Sequence, residues 1–248
     1  MSNDPEVKRH VEKLEALQRE EDVQGVVDAL GELLKTVSRT FRPTDLAHSL
    51  QSLRGTVSVL KGDTDRCLVR YELAFRDWLS DTRDQEKHKL LQFELRQLIR
   101  TFFAEVEGTM YSARQVILWA HERGEVGLSV PEQALLREES YRFDSKAKAA
   151  VAKPAFGNAL DSLLLTFTVI PRVFGSQSSL DLSRFGWQAF RELLEVRNAV
   201  THPKELINLV VNAEVVTKKL PAARKWYYGS LVAAVDDAEL RDLLRGVG

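Results

Sequence analysis

The chain has 248 residues, 44% hydrophobic and 29% charged, with 13 Gly and 7 Pro, a composition that excludes collagen-like, disulfide-scaffold and disordered classes. Lys and Arg (35) balance Asp and Glu (36) to a net charge of -1, so no global positive field gathers nucleic acid and any RNA contact must come from a local patch. Cys67, the single cysteine, can form neither an intrachain disulfide nor a multi-thiolate zinc site, which points to a reducing compartment. The N-terminus lacks a basic-then-apolar signal pattern, and no run of roughly 18 uncharged apolar residues occurs. The expectation is a cytoplasmic chain with no membrane partner.

Apolar residues recur at spacings of 3 and 4 along nearly the whole chain, which predicts an all-α protein. Asn3 and Pro5 open a first helix, and Asp22 opens a second with Val23, Val26, Val27, Leu30, Leu33, Leu34 and Val37 on one face. After Pro43-Thr44 a third carries Leu46, Leu50, Leu53, Val57 and Leu60. Gly62-Asp63 then separates it from a fourth with Cys67, Leu68, Tyr71, Phe75, Trp78 and Leu79. Residues 84–123 read as one very long helix or two joined near Gly108. Ser129 and Glu132 form a capping box for a short helix through Phe143, and the charged stretch 145–154 is a connection. Pro154 starts the next helix, which ends at Pro171. The final third reads as helices 184–201, 205–219 and 222–235, broken at His202-Pro203 and Pro221, with a short helix after Asp236-Asp237. The division expected from this pattern is an N-terminal helical segment, 1–82, and a helical domain, 83–248.

Common cofactor signatures are missing: no G-x-G-x-x-G after a strand, no phosphate-binding G-x-x-x-x-G-K-[ST], no H-E-x-x-H and no Cys/His cluster. No cofactor or catalytic metal is expected. His10, His48, His88 and His121 lie in charged helical surroundings and read as solvated surface residues. His202 differs. Along its helix Trp187, Phe190 and Leu194 step by 3 and 4 on the buried stripe, and the next step of 3 lands on Arg197. A charge on such a face must be paired, or must open into a cleft or subunit interface, because stranding it in a dry core costs several kcal/mol. Asn198 and His202 are four apart and share a face, so the amide is placed to orient the imidazole. The residue before proline is pushed out of the α region, which lets His202 leave the helix frame toward Arg197. The other reading is a helix end: Arg197 paired with a carboxylate such as Glu195 or Glu105, His202 favoured by the C-terminal dipole, and Pro203 as the stop.

The run Arg197-Asn198-Ala199-Val200-Thr201-His202-Pro203 resembles the signature of the HEPN superfamily, helical domains with an Arg, a polar residue and a His at this spacing. Residues 100–117 resemble the long helix that precedes the motif helix in that family, and the stretch following the motif resembles its closing helices, so the resemblance covers about 86–240. It implies a metal-independent endoribonuclease of a toxin or antiviral defence system, working on RNA as a homodimer, with an antitoxin or defence-system protein as a further partner; other members of the family are non-catalytic binding modules. Some members carry a nucleotidylated Tyr two residues after the His, where this chain has Lys204. Under this resemblance His202 is the acid/base candidate, Arg197 the phosphate stabiliser and Asn198 the orienting or phosphate-contacting residue. Lys204, Arg224 and Lys225 are weaker RNA-binding candidates, the last two preceding Trp226-Tyr227-Tyr228, which either stack a base or belong to the core. Of Glu105 and Glu107, one is expected to pair with Arg197.

Overall fold

The computed structural model describes residues 46–144, 148–154 and 159–244, together with Arg9. The first two expected helices lie outside the described residues. A compact unit begins at Ser49, so it includes the helix that the sequence pattern had grouped with the segment 1–82. In chain order the described elements are α1 (Leu46–Ser80), α2 (Gln85–Glu122), α3 (Val130–Leu136), β1 (Glu139–Asp144), β2 (Ala149–Pro154), α4 (Ala159–Phe174), α5 (Phe185–Thr201), a 3-10 turn (Leu206–Leu209), α6 (Ala213–Val235) and α7 (Ala238–Leu244). The fold is all-α with one small hairpin.

Several boundaries differ from those the sequence predicts, each for a local reason. The third and fourth helices are a single helix, α1, which runs through Gly62. A helical glycine costs about 1 kcal/mol relative to alanine, less than the burial of Leu53, Val57 and Tyr71 on the inner face returns. α2 is a single helix across Gly108, the first of the two readings that its pattern left open. That glycine marks a close approach, since a Cβ there would stand 2.5 Å from the side chain of Leu60 on α1. α6 continues through Pro221 because Val216 and Leu220 before it and Ala223, Trp226 and Tyr227 after it are all buried on one face, which outweighs the lost backbone bond. α4 similarly contains Pro171. The expected helix 205–219 is instead the 3-10 turn followed by α6, whose N-cap Asn212 accepts from the amides of Glu214 (2.9 Å) and Val215 (3.3 Å).

The expected helix to Phe143 stops at Leu136. Its capping box is present, with the Ser129 amide donating to Glu132 at 2.7 Å, but Glu138 adopts a left-handed φ of 54° that ends the helix. The chain then forms the antiparallel pair β1–β2, registered from Glu139↔Pro154 to Asp144↔Ala149, where a helix end and a connection had been expected. β1 alternates over only six residues and β2, AAVAKP, does not alternate at all, so neither stands out from the helical pattern around it.

The core lies where α2, α4, α5 and α6 meet. Phe103 and Phe190 stand 5.3 Å apart between ring centroids, Phe190 and Trp226 5.2 Å, and Trp187 and Trp226 5.0 Å; such pairs each add about 0.5–1.5 kcal/mol beyond the area they bury. Gly186 allows the start of α5 to reach this cluster, because a Cβ there would meet the Ala222 carbonyl at 2.7 Å. α1 is tied to the closing helices by Arg54, which pairs with Asp237 and with Glu239, and by a 2.5 Å bond between the hydroxyls of Tyr71 and Thr217.

Candidate functional site

α5 delivers the motif to the surface at its C-terminal end. Its inner stripe of Trp187, Phe190 and Leu193 is buried, and one turn beyond Leu194 the stripe reaches Arg197, whose side chain is 22% exposed and pairs with Glu107 of α2. The choice between the two glutamates follows from helix phase. They are two residues apart and so face nearly opposite sides of α2. Glu107 turns to the rim, while Glu105 turns inward and accepts a 2.5 Å hydrogen bond from the Tyr228 hydroxyl.

Asn198 is exposed, and its Oδ1 accepts from the Arg197 guanidinium at 3.1 Å. Its side chain therefore turns to Arg197, where the spacing had suggested that it would orient His202. The Asn198 backbone carbonyl does accept the His202 amide, at 3.0 Å. His202 is the C-cap, with φ -125° and ψ 62°; it leaves the helical frame as expected before proline. Its imidazole is exposed and has no hydrogen-bond partner among the described residues. No described hydrogen bond or ion pair joins it to Arg197. Lys204 is exposed too, and its amide donates to Asn208 Oδ1 at 3.0 Å, as does that of Glu205.

What holds this segment is a ladder of side chains the sequence analysis did not single out. Gln92 donates to the Val211 carbonyl (3.0 Å) and accepts from the Val211 amide (2.8 Å), Arg96 donates to the Leu209 carbonyl (2.9 Å), and Arg100 donates to the Val200 carbonyl (2.6 Å). These three lie at intervals of four and share one face of α2 with Glu107. The signal was present in the sequence as polar residues at helical spacing on an otherwise core-forming helix, although their targets are backbone groups and leave no mark in the sequence. Around the fixed backbone, Leu206, Ile207 and Val210 are 85, 65 and 57% exposed, an apolar ridge directly after the motif.

Beside Arg197 a cavity of about 190 Å³ opens between α2, α4 and α5, with Glu107 and Leu194 in its lining. At its other end Arg114 is 6% exposed and donates to Glu138 (2.6 Å) and the Ser162 hydroxyl (2.8 Å).

Arg224 is not at a surface. It is 5% exposed, pairs with Asp65 of α1, and lies 5.4 Å from the Tyr228 ring centroid. Trp226, Tyr227 and Tyr228 are buried with it, so the basic-aromatic run is core rather than a stacking platform, and of its two cations only Lys225 faces solvent. Burial pushes the Glu105 carboxyl in this network above the ordinary carboxylate range, against the pull of the Tyr228 hydroxyl and the Arg224 charge.

Among the described residues no group of three or more His, Cys, Asp or Glu is placed to hold a metal ion, and no helix is long and apolar enough to cross a membrane. Compared with family models, curated proteins and solved structures, the chain matches none.

Proposed function

We propose that the chain is a HEPN-like, metal-independent endoribonuclease that acts in the cytoplasm, as a homodimer, within a toxin or antiviral system. The observation that carries this reading is the state of the motif. Arg197 is held at the rim of a cavity by Glu107, while His202 projects into solvent from a helix end clamped by Arg100.

The chemistry needs little equipment, because RNA supplies its own nucleophile. A base takes the proton of the 2′-hydroxyl, the 2′-oxygen attacks the adjacent phosphorus, and the P–O5′ bond breaks as an acid protonates the leaving oxygen. The products are a 2′,3′-cyclic phosphate and a 5′-hydroxyl. His202 is the proton carrier, and Arg197 stabilises the charge on the phosphorane by a two-pronged hydrogen bond. Arg197 must exchange Glu107 for phosphate to do so, and Asn198, on the same guanidinium, keeps the fork oriented during the exchange. One His and one Arg per chain are few for acid and base together. A two-fold dimer doubles them, and the apolar ridge Leu206, Ile207 and Val210 beside His202 gives it a surface to bury.

Incubation of single-stranded RNA with the protein in EDTA tests this. Cleavage is expected, and Arg197→Ala and His202→Ala are each expected to abolish it while the helical circular dichroism is unchanged. Intact RNA with all three proteins overturns the reading. Sedimentation showing only monomer at micromolar concentration removes the dimer.

A non-catalytic interaction module is the second reading, and it is favoured by one observation: Arg197 is already neutralised within the chain by Glu107. In that case RNA stays intact, and a partner protein is retained by the wild type and lost on Arg197→Ala.

A further inference from the structure

A second cavity, of about 230 Å³, opens between α4, α6 and the loop 175–184, and it shares no residue with the one beside Arg197. Its loop wall is pinned at two points: the Ser176 hydroxyl donates to the Ala233 carbonyl at 2.8 Å, and Trp226 Nε1 donates to the Asp181 carbonyl at 3.0 Å. Phe167 and Trp226 lie buried beneath, and the side chains that reach the opening are mostly polar.

Two cations stand at the opening. Arg184 is 75% exposed, and only its Nε is engaged, donating to Asp181 Oδ2 at 2.7 Å, so both terminal nitrogens of the guanidinium fork are free. Lys225, the solvent-facing cation of the basic-aromatic run, has no carboxylate partner among the described residues. Two cations against the one carboxylate of Asp181 leave the cavity net positive. The hydroxyls of Ser178, Ser179 and Ser230 line the same space, and none has a hydrogen-bond partner among the described residues. Asp181 Oδ1 already accepts from the Ser183 amide (3.0 Å) and hydroxyl (2.6 Å), which leaves one acceptor site open on Oδ2 beside Arg184. The floor at Gly229 is bare backbone, where a Cβ would meet no atom within 4 Å. Packing therefore does not ask for glycine here, as it does at Gly108 and Gly186, although a glycine inside a helix weakens it.

This arrangement selects the chemistry of a ligand. A phosphate group suits the free guanidinium fork and the Lys225 ammonium. A body rich in hydroxyls suits the three serines, which both donate and accept, and the open site on Asp181. A nucleobase is not served, because Phe167 and Trp226 are 3 and 7% exposed and offer no ring face to stack on. The volume of about 230 Å³ also falls below the roughly 300–1,000 Å³ of sites for drug-sized molecules.

We propose that this cavity binds a small phosphorylated polyol such as a sugar phosphate, with the phosphate on Arg184 and Lys225 and the hydroxyls on the serines and Asp181. The site needs neither Arg197 nor His202 and stands whether or not the chain cuts RNA.

Isothermal titration calorimetry of the full chain at low ionic strength tests this, with glycerol 3-phosphate and ribose 5-phosphate as probes and with ribose, inorganic phosphate and AMP for comparison. At least one of the two probes is expected to bind with a Kd on the order of 0.1 mM, at least tenfold more tightly than ribose or inorganic phosphate, and no less tightly than AMP. Gly229→Leu places a side chain in the cavity while favouring the helix. It is expected to weaken the probe at least tenfold, about one decade in Kd, with the thermal midpoint unchanged or raised. Lys225→Gln, at an exposed position, is expected to weaken it by as much.

Failure of both probes to bind up to about 10 mM overturns the proposal. Equal binding of inorganic phosphate reduces the site to a general anion contact and overturns the polyol assignment, and tighter binding of AMP overturns it in favour of a nucleotide. Binding unaltered in Gly229→Leu or in Lys225→Gln lies elsewhere on the protein and overturns this cavity as the site. If Gly229→Leu loses its helical signal, Lys225→Gln decides alone.

Discussion

Arg197 and Arg224 are two solutions to one problem. Each sits on a core-forming helix, each pairs with a carboxylate from another helix, and each stands in the sequence as an RNA-contact candidate. Arg224 lies inside, 5% exposed, between Asp65 and the Tyr228 ring and next to Glu105. Arg197 sits at the rim, 22% exposed, with a partner that is 43% exposed. The two carboxylates are about equally exposed, Asp65 40% and Glu107 43%, and the difference lies in the cation: losing Asp65 would leave the Arg224 guanidinium desolvated. The rim pair can be opened by a phosphate at small cost, since water already competes for both groups. Availability for chemistry is thus a matter of what surrounds the ion pair rather than of its geometry.

Substitution of the interior cation should have the largest effect on stability. Arg224→Met is expected to lower the free energy of unfolding by about 3 kcal/mol, the low end for a broken buried pair, because Asp65 is 40% exposed and keeps its bond from Lys61. Urea denaturation checks this, and a loss within error of zero would place Arg224 with Arg197 as an exchangeable surface charge.

Next comes Glu105, whose folded-state pKa is raised by burial. Between the ordinary carboxylate pKa and the raised one the folded state holds more proton than the unfolded, so stability falls as pH rises through that window and the cost is fully present above it. Glu105→Gln should remove this slope and make the variant more stable than wild type above the window. Unfolding measured from pH 4 upward is the check, and parallel curves for the two proteins would contradict it.

Arg197→Ala should have the smallest effect on stability, below about 1 kcal/mol as for exposed pairs, with thermal unfolding as the readout. A loss comparable to that of Arg224→Met would make Arg197 a structural residue.

The long helices were legible in the sequence because their apolar stripes are strong, and so was the placement of Arg197 at the end of a buried stripe. Helix breaks were over-read at Gly62 and Pro221, where tertiary burial on both sides carries the helix through a weak local preference. The hairpin β1–β2 was missed because β1 alternates only briefly and β2 not at all. Arg224 was misplaced for a different reason. A cation four residues from a tyrosine reads equally well as buried or as snorkelling to solvent, and the deciding partner, Asp65, lies 159 positions away in the chain. The ladder Gln92, Arg96 and Arg100 and the cavity lined by Arg114 depend on contacts of the same long range, and the folded chain is needed to see them.

The central claim is that Arg197 and His202 drive attack by the 2′-hydroxyl, and the most direct test is the chemistry of the RNA ends. After incubation in EDTA, the fragments should carry a 2′,3′-cyclic phosphate or 3′-phosphate and a 5′-hydroxyl, a site methylated at its 2′-oxygen should be spared, and DNA should remain intact. Fragments with 5′-phosphates, formed only when a divalent metal is supplied, would contradict the mechanism even if the fold and the cavity stand as described.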